Sequence, residues 1–312
     1  MSNTLLVTAR TVPPALQPAL EQFGEVCAVD AQAKSTRLAD ARVYVSTSVD
    51  PVPAELIESF GPEMGLIANL GVGTDNIDLA AAGARGIQVS NTPVVTEDTA
   101  DLTLALMLAT CRRLSVCERH LRAGDWAAGA RTLGQRVHGK TLGIVGFGAI
   151  GQAVARRAAG FGMQILYHGP RRKQEEEGGL DAAFCADLTQ LLQASDIVSL
   201  NCPLSPGTRH LINRDSLAQM KSGAVLINTG RGPLVDEAAL VEALASGHLG
   251  GAGLDVFEFE PEVTPQLLAF DNVTLLPHIG SATGECRSDM AQRAIANIQA
   301  FLTAGAPLDR CV

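Results

Sequence analysis

The sequence predicts an α/β protein of two doubly wound parallel sheets, with one domain inserted in the other. Short β-branched or apolar runs alternate with helix-like runs along most of the 312 residues. Such alternation is typical of parallel strands covered by helices on both faces. The alternation begins near residue 5 and begins again near residue 141. A chain of this length is expected to form two domains.

Composition narrows the class of protein. The chain is 46% hydrophobic and 18% charged, and its net charge of -9 argues against nucleic acid or an anionic membrane as the main partner. The N-terminal residues lack the pattern of a signal peptide, and no apolar run approaches the roughly 20 residues that cross a bilayer. Seven scattered cysteines form no C-x-x-C pair, so we expect free thiols, no metal site and a cytoplasmic protein.

The first ninety residues are expected to form one small flavodoxin-like domain. Predicted strands cover residues 5–9, 25–29, 43–46, 66–69 and 88–90. Predicted helices cover residues 14–23, 53–60 and 79–85. The fourth strand leads into Asn69-Leu-Gly-Val-Gly-Thr-Asp-Asn-Ile-Asp78. Open α/β sheets bind ligands beyond such strand ends, so backbone N–H groups here could hold a carboxylate. A plain glycine turn before a helix is the equal alternative.

Residues 96–139, after the fifth predicted strand, do not continue the alternation of strands and helices. Thr96 or Asp98 can cap a long helix that runs through residues 101–111 to about residue 121. The middle of this helix is apolar nearly all round, so we expect it to lie between two domains or two subunits. Residues 122–139 contain the only tryptophan, Trp126. This patternless segment either wraps over a neighbouring surface or forms a disordered loop.

A glycine-rich turn at Thr141-Leu-Gly-Ile-Val-Gly-Phe-Gly-Ala-Ile-Gly151 organises the second half of the chain. Residues 142–145 suit a buried strand, residues 152–160 suit a helix, and the glycines between them have the G-x-G-x-x-G spacing of a dinucleotide-binding turn. Gly146 permits the tight turn, Gly148 lets a pyrophosphate approach, and Gly151 allows close helix packing. The N–H groups of the first helical turn, at Ala149 and Ile150, are expected to bind phosphate. An ordinary tight turn is the alternative.

The later strands complete a Rossmann-type sheet. We expect strands at 164–167, 197–201, 224–228, 251–254 and 273–275, with helices at 187–193, 215–219 and 237–246. The final helix, 284–304, is expected to return to the N-terminal domain. The predicted domains are therefore residues 1–95 with 284–312, and a dinucleotide-binding domain of residues 96–283.

Three polar residues stand at predicted strand ends in the second domain, namely Arg231, Glu260 and His278. Reduction of a 2-oxo acid needs groups of these types. A guanidinium polarises the carbonyl and grips the carboxylate, an imidazolium gives the proton, and a carboxylate keeps that imidazole protonated. Each residue could instead be an ordinary surface or core residue, and Glu258 and Glu262 compete with Glu260 for the carboxylate role.

Five motifs together resemble the D-2-hydroxyacid dehydrogenase family, in order and at similar intervals. They are the glycine turn at residues 146–151, Asn228-Thr-Gly-Arg-Gly-Pro-Leu-Val-Asp236, Gly253-Leu-Asp-Val256, Glu260-Pro261 and Pro277-His-Ile-Gly-Ser-Ala-Thr283. The resemblance implies hydride transfer between a nicotinamide cofactor and a 2-oxo acid, with a homodimer formed through the cofactor domains. It also implies that residues 1–95 and 284–312 form a substrate-binding domain. It is strongest toward glyoxylate/hydroxypyruvate reductases.

The resemblance also implies residue roles. Arg231, Glu260 and His278 are similar to the family's catalytic arginine, glutamate and histidine, and Val72 and Gly73 to its carboxylate-binding backbone. Further residues are expected to contact the cofactor: Thr96 at a phosphate, Cys202 and Pro203 beside the adenine, Asp255 at the nicotinamide carboxamide, and Thr208, Thr229, His278 and Gly280 elsewhere.

Other activities of the same fold stay open at this stage. A formate dehydrogenase would carry glutamine in place of Glu260, because formate oxidation relays no proton. A phosphoglycerate or 2-ketogluconate-type dehydrogenase remains an alternative, although no regulatory domain and no dedicated phosphate pocket are evident. A corepressor-like sensor that binds NAD(P)H without turnover is the alternative from another class.

The preferred cofactor is predicted from the end of the second Rossmann strand. NAD enzymes usually carry an acidic residue about 20 residues after the fingerprint, where it binds the ribose and repels a 2′-phosphate. Here the segment Tyr167-His-Gly-Pro-Arg-Arg-Lys173 contains no acid. We therefore expect NADPH, with Arg171 and Arg172 as phosphate ligands, His168 as a weaker one, and NADH as the weaker alternative cofactor. A solvated basic turn balanced by Glu175 to Glu177 is the other interpretation.

Overall fold

The computed structural model describes residues 5–9, 11–29 and 37–312. It confirms the predicted α/β class with two parallel sheets. Contacts divide the chain into two compact units, Met1–Val95 with Ser281–Val312, and Thr96–Gly280. The roles expected of the two domains, and their predicted border at residue 283, stay predictions.

In the described part of the first unit, five parallel strands form a sheet in the order β2-β1-β3-β4-β5. This is the flavodoxin-like order. The strands are β1 (Leu5–Ala9), β2 (Glu25–Val29), β3 (Val43–Thr47), β4 (Leu66–Leu70) and β5 (Gln88–Ser90). The helices before residue 96 are α1 (Gln17–Glu21), α2 (Arg37–Asp40), α3 (Ala54–Glu58) and α4 (Leu79–Ala84).

The end of the chain folds within this first unit. The terminal helix covers Gly284–Ala304, as predicted; Thr283 caps its start and Gly305 ends it with a φ of 82°. Buried Asn297 donates from Nδ2 to the Asn91 carbonyl at 2.9 Å. Beyond the helix, Cys311 donates its N–H to Val89 at 2.7 Å. The C-terminal segment is thereby fixed beside β5.

The described second unit contains a seven-stranded parallel sheet in the order β12-β11-β10-β9-β6-β7-β8. Numbered from its own first strand, this is the Rossmann order 3-2-1-4-5-6 with one strand added. The strands are β6 (Thr141–Val145), β7 (Gln164–His168), β8 (Ala182–Phe184), β9 (Ile197–Leu200), β10 (Val225–Asn228), β11 (Gly251–Leu254) and β12 (Val273–Leu275). The helices are α5 (Thr96–Cys111), α6 (Leu114–Arg122), α7 (Trp126–Arg131), α8 (Ala149–Ala159), α9 (Gln174–Leu180), α10 (Leu188–Ala194), α11 (Arg214–Gln219) and α12 (Glu237–Ala245), with α13 (Gly284–Ala304) in the first unit.

One sequence prediction for this unit was wrong. The long helix expected to continue to about residue 121 ends at Cys111, because Arg113 has a left-handed φ of 57° and a new helix starts at Leu114. For residues 122–139, helix α7 contradicts the alternative of a disordered loop, and wrapping over a neighbouring surface stays a prediction. Asp125 caps it by accepting the N–H of Ala128 at 2.9 Å. The short elements α9 and β8 were not predicted.

The sheet of the second unit separates two apolar cores, because side chains alternate between faces along a strand. In β10, Val225 and Ile227 join the core shared with α5 and α8, whereas Leu226 joins the core under α10, α11 and α12. With both faces covered, polar groups of this sheet are accessible mainly at the strand ends.

None of the helices in the described residues has the length and apolar character that a membrane span requires.

Candidate active site

The three neighbouring strands β10, β11 and β12 end beside one another. β10 pairs with β11, and β11 pairs with β12, all in parallel. Arg231 follows β10, Asp255 follows β11, and His278 follows β12. Because parallel strands present their carboxyl ends at one edge, the topology brings these three segments together.

Asp255 fixes the segment that carries His278. Its side chain is 1% exposed, and its two oxygens accept the N–H groups of Ile279 at 2.7 Å and Gly280 at 2.8 Å. The N–H of His278 donates to the Asp255 carbonyl at 2.7 Å. Burial raises the pKa of Asp255, and the Ile279 hydrogen bond only partly offsets this. These bonds hold His278 in a left-handed conformation with a φ of 53°, which non-glycine residues adopt mainly where the surroundings impose it.

Glu260 is the hydrogen-bond partner of His278. Its Oε2 lies 2.8 Å from the His278 Nδ1, and its Oε1 accepts the N–H of Phe257 at 2.9 Å. Burial alone would raise the pKa of Glu260, but the hydrogen bond and charge of His278 outweigh it and lower that pKa below its ordinary value. A carboxylate can only accept, so Nδ1 carries the proton. Nε2 is then the ring nitrogen left for a substrate.

Arg231 stands next to this pair. Its backbone carbonyl accepts a hydrogen bond from Asn228 Nδ2 at 2.9 Å, and its positive charge helps to lower the pKa of Glu260. The following Gly232 touches the Phe257 carbonyl so closely that an added Cβ would overlap it. This glycine therefore allows the arginine turn and the glutamate segment to meet.

Contacts distinguish Glu260 from Glu258 and Glu262, the two acidic residues that compete with it in the sequence. Glu258 turns toward His210, whose Nε2 lies 2.6 Å from its Oε1, and toward Arg209 at 3.2 Å. Its side chain is only 6% exposed. Glu262 is exposed. Of the three carboxylates, Glu260 is the one that contacts His278.

The glycine fingerprint has the shape that a pyrophosphate requires. Gly146 has a φ of 95° and packs against Cys202, and a Cβ on Gly151 would overlap the Gly146 carbonyl. A Cβ on Gly148 would meet no atom within 4 Å, so this position faces open space. Gly148 caps α8, whose first-turn N–H groups include those of Ala149 and Ile150. The residues present therefore fit a dinucleotide.

A cavity of about 600 Å³ lies along this fingerprint. Seven residues predicted to bind the cofactor line it: Gly146, Gly148, His168, Arg171, Cys202, Pro203 and Thr208. Sequence reasoning did not single out Asn201, Ser205 and Gly207, which also line it. Their signal was position, since they follow β9 at the carboxyl edge of the sheet.

The other predicted cofactor residues lie outside this cavity lining. They are Thr96, Ala149, Ile150, Gly151, Arg172, Thr229, Asp255, His278 and Gly280. Thr229 is buried, with its hydroxyl 2.7 Å from that of Thr103. Asp255, His278 and Gly280 belong to the strand-end cluster described above. Their cofactor roles stay predictions.

The cations of the basic turn after β7, residues 171–173, have two different surroundings. Arg171 and Lys173 line the cavity. Arg172, expected to bind phosphate, instead forms a two-pronged ion pair with Glu177, with Nε–Oε1 and Nη2–Oε2 distances of 2.8 Å. His168 donates from Nδ1 to the Cys185 carbonyl at 2.9 Å, which leaves its Nε2 available.

In the first unit, Val72 and Gly73 follow β4 with their carbonyls fixed. Asn91 Nδ2 donates to the Val72 carbonyl at 2.8 Å, and Asn69 Nδ2 donates to the Gly73 carbonyl at 2.9 Å. Among the described residues, the N–H groups of Val72 and Gly73 have no hydrogen-bond acceptor. Two adjacent free N–H groups are a suitable donor pair for a carboxylate.

Fold and site together define a nicotinamide-dependent dehydrogenase. Residues 104–280 match the family model described as D-isomer specific 2-hydroxyacid dehydrogenase, NAD binding domain. The chain belongs to this family.

Individual relatives agree with this assignment. The chain is 47% identical to a glyoxylate reductase of Thermococcus litoralis, over 86% of this chain and 82% of the relative. It is 42% identical to a hydroxyphenylpyruvate reductase of Plectranthus scutellarioides, over 86% and 84% of the two chains. A crystal structure of an NADPH-dependent glyoxylate/hydroxypyruvate reductase from Sinorhizobium meliloti, in complex with NADP and malonate, matches with a TM-score of 0.94 and 36% identity, covering 100% of this chain and 97% of that one.

Proposed function

We propose that this protein reduces small 2-oxo acids, glyoxylate and hydroxypyruvate in particular, with NADPH to the corresponding 2-hydroxy acids, in the D form where the product is chiral. The observation that carries the proposal is the His278–Glu260 pair beside Arg231, at the same sheet edge as the fingerprint glycines. Identity of 47% to a glyoxylate reductase supports the choice of substrate.

The chemistry requires a hydride at the C2 carbonyl carbon and a proton at its oxygen. The reduced nicotinamide supplies the hydride when it is bound. We assign the proton to Nε2 of His278, whose Nδ1 is held by Glu260 at 2.8 Å. Transfer of this proton leaves a neutral imidazole, which regains a proton from solvent. Arg231 stabilises negative charge that develops on the carbonyl oxygen.

The substrate carboxylate needs its own donors. We assign the N–H groups of Val72 and Gly73 to this task, because their carbonyls are held by Asn91 and Asn69 while their donors are free among the described residues. Backbone donors fixed in this way bind a carboxylate without further ordering.

NADPH is the proposed cofactor because residues 167–173, at the end of β7, contain no acid and two cations there line the cavity. Arg171 and Lys173 are the proposed 2′-phosphate contacts, and His168 is a weaker one. Arg172 was expected as a ligand, but its Nε and Nη2 bond Glu177 and it does not line the cavity.

The proposed assembly is a homodimer formed through the unit that contains the fingerprint. Four large apolar side chains are exposed on or next to α6 and α7: Leu114, Leu121, Trp126 and Leu133. Such a group is typical of a protein interface.

We also propose a cytoplasmic location, since all seven cysteines are free thiols.

The test is a panel of 2-oxo acids measured with NADPH and with NADH. The panel contains glyoxylate, hydroxypyruvate, hydroxyphenylpyruvate, 2-ketogluconate and 3-phosphohydroxypyruvate. The proposal expects the highest kcat/KM for glyoxylate or hydroxypyruvate with NADPH. A higher kcat/KM for another acid overturns the substrate assignment, and nucleotide binding without turnover of any acid overturns the activity.

A further inference from the structure

The side chain of Tyr167 joins the fingerprint to the basic turn. Its ring is fully buried and stacks on Phe147, with ring centroids 4.0 Å apart and 18° between the planes. Phe147 stands between the fingerprint glycines Gly146 and Gly148. The ring of Tyr167 is therefore fixed by the same turn that shapes the nucleotide cavity.

The hydroxyl of Tyr167 reaches the basic turn at two points. It donates to Glu177 Oε1 at 2.5 Å and accepts the backbone N–H of Lys173 at 2.7 Å. Glu177 also holds the Arg172 guanidinium through both of its oxygens. The turn is thus tied at Arg172 by its side chain and at Lys173 by its backbone, while Arg171 and Lys173 line the cavity.

The charges favour this arrangement over a wide pH range. Hydrogen bonds from Arg172 and then from Tyr167 lower the pKa of Glu177 to about 2. Burial raises the pKa of Tyr167, and its bond to Glu177 raises it further. At neutral pH the phenol is therefore a donor and the carboxylate an acceptor, as the geometry requires.

We propose that Tyr167 and Glu177 are positioning residues that hold the basic turn so that Arg171 and Lys173 face the cavity, and that they thereby set the preference for NADPH over NADH. The inference rests on the proposed use of NADPH. Ordering two long side chains and a turn at the moment of binding reduces affinity, and a turn that is already fixed avoids this cost. Arg172 acts by anchoring the turn to Glu177.

If Glu177 had the opposite role, removal of its charge would change the affinity for NADPH in the opposite direction. If Arg172 were itself the phosphate ligand, Glu177 would compete with the phosphate for its guanidinium. Removal of the Glu177 charge would then strengthen NADPH binding. If Glu177 positions the turn, the same substitution weakens NADPH binding.

The experiment measures dissociation constants of NADPH and NADH by nicotinamide fluorescence, and of 2′,5′-ADP by calorimetry, without turnover. The variants are Tyr167→Phe, which keeps the ring, and Glu177→Gln. The matched control is Glu175→Gln, an exposed carboxylate two residues away. We expect each of the first two variants to weaken NADPH and 2′,5′-ADP by about 3- to 10-fold and NADH by less than about 2-fold. The control should equal the wild type.

A double-mutant cycle tests whether Tyr167 affects NADPH affinity through Arg171 and Lys173. In a protein that already carries Arg171→Gln and Lys173→Gln, Tyr167→Phe should change NADPH affinity by less than about 2-fold, because the groups it positions are gone. A wild-type ratio of NADH to NADPH dissociation constants that both single variants keep unchanged overturns the positioning role alone. Tighter NADPH binding by Glu177→Gln also overturns it. A wild-type preference for NADH overturns the proposed cofactor and this inference together.

Discussion

Nδ1 of His278 lies 2.8 Å from Oε2 of Glu260, although 18 residues separate the two along the chain. The bond orients the imidazole and leaves Nε2 as the proposed proton donor. Asp255 holds the His278 backbone and Phe257 holds the other Glu260 oxygen. Both partners of the pair are therefore fixed independently of each other, as an acid that must meet a substrate in one orientation requires.

The first prediction concerns His278 as proton donor. His278→Ala should lower kcat for glyoxylate by about 10²- to 10⁴-fold, the usual contribution of positioned acid catalysis. The dissociation constant of NADPH should change far less than kcat, because the fingerprint and the basic turn are untouched. His138→Ala, at an exposed histidine bonded to the Phe161 carbonyl, is the control and should retain activity. A His278→Ala enzyme with wild-type kcat would remove this residue from the mechanism.

The second prediction concerns pH. The lowered pKa of Glu260 keeps its carboxylate charged at mildly acidic pH, so reduction should slow on the acid side only below the ordinary range of a glutamate. In Glu260→Gln the uncharged amide no longer stabilises positive charge on the neighbouring proton donor, so the pH range of reduction should move toward acid. Profiles of kcat/KM over about pH 4 to 9 measure the shift.

The control for that profile is Glu262→Gln, because Glu262 is exposed and lies two residues from Glu260. Its profile should match that of the wild type. If the Glu260→Gln profile matched it as well, Glu260 would have no part in setting the pH range of reduction.

Much of the fold could be predicted from the sequence, because it depends on local patterns. Apolar strands bounded by turn residues gave both parallel sheets, and the glycine spacing at residues 146–151 located the nucleotide turn. The break at Arg113 carried no such signal, since arginine rarely takes a left-handed conformation and no glycine or proline stands there. Helix α7 buries no residue, so it lacks the apolar periodicity that sequence analysis detects.

The roles of neighbouring charges could not be predicted, because they depend on distant partners. Glu258 and Glu260 are equivalent in the sequence. They differ in the structure because Glu258 pairs with His210 and Glu260 pairs with His278. Arg171 and Arg172 are adjacent and identical in type. Only the position of Glu177, together with Tyr167 on β7, turns one of them away from the cavity lining.

The third prediction separates the tasks of the three fingerprint glycines. Gly148→Ala should change the free energy of unfolding by less than about 1 kcal/mol, because the added methyl group meets open space. It should still weaken NADPH binding, since that space is the proposed pyrophosphate position. Gly151→Ala should destabilise the protein by about 1–3 kcal/mol, because its methyl group overlaps the Gly146 carbonyl. Urea unfolding and fluorescence titration measure the two effects, and equal losses of stability would refute the distinction.

The fourth prediction concerns stability of the first unit at low pH. Asp309 accepts hydrogen bonds from Arg293 Nη2 at 2.7 Å and from Asn297 Nδ2 at 3.1 Å. The Arg293 bond is the main cause of its lowered pKa. A lowered pKa contributes stability above the ordinary range of an aspartate, and that contribution is lost as pH falls through the lowered value. Asp309→Asn should therefore cost about 1.5–3 kcal/mol at neutral pH and progressively less in acid.

Thermal melting across pH measures this difference. Asp289→Asn, at an exposed position on α13, is the matched control and should melt like the wild type at each pH. A pH-independent gap between Asp309→Asn and the wild type would show that the Asp309 charge has no stabilising role.

The last prediction concerns the proposed homodimer. Leu121, Trp126 and Leu133 are 57%, 74% and 86% exposed, and they fall within 13 residues on or beside two helices that pack against each other. Large side chains of this kind carry most of the binding energy when an interface buries them. Trp126→Glu combined with Leu133→Glu should therefore convert a dimer to a monomer, because each introduced charge would have to be buried. Leu308→Glu is the control, since Leu308 is 56% exposed and lies in the first unit, outside the unit proposed to form the interface. Light scattering after size exclusion should give the mass of two chains for the wild type and the control and of one chain for the double variant. A wild type that is monomeric at micromolar concentration, or a double variant that stays dimeric, would place the apolar side chains of α6 and α7 outside any dimer interface.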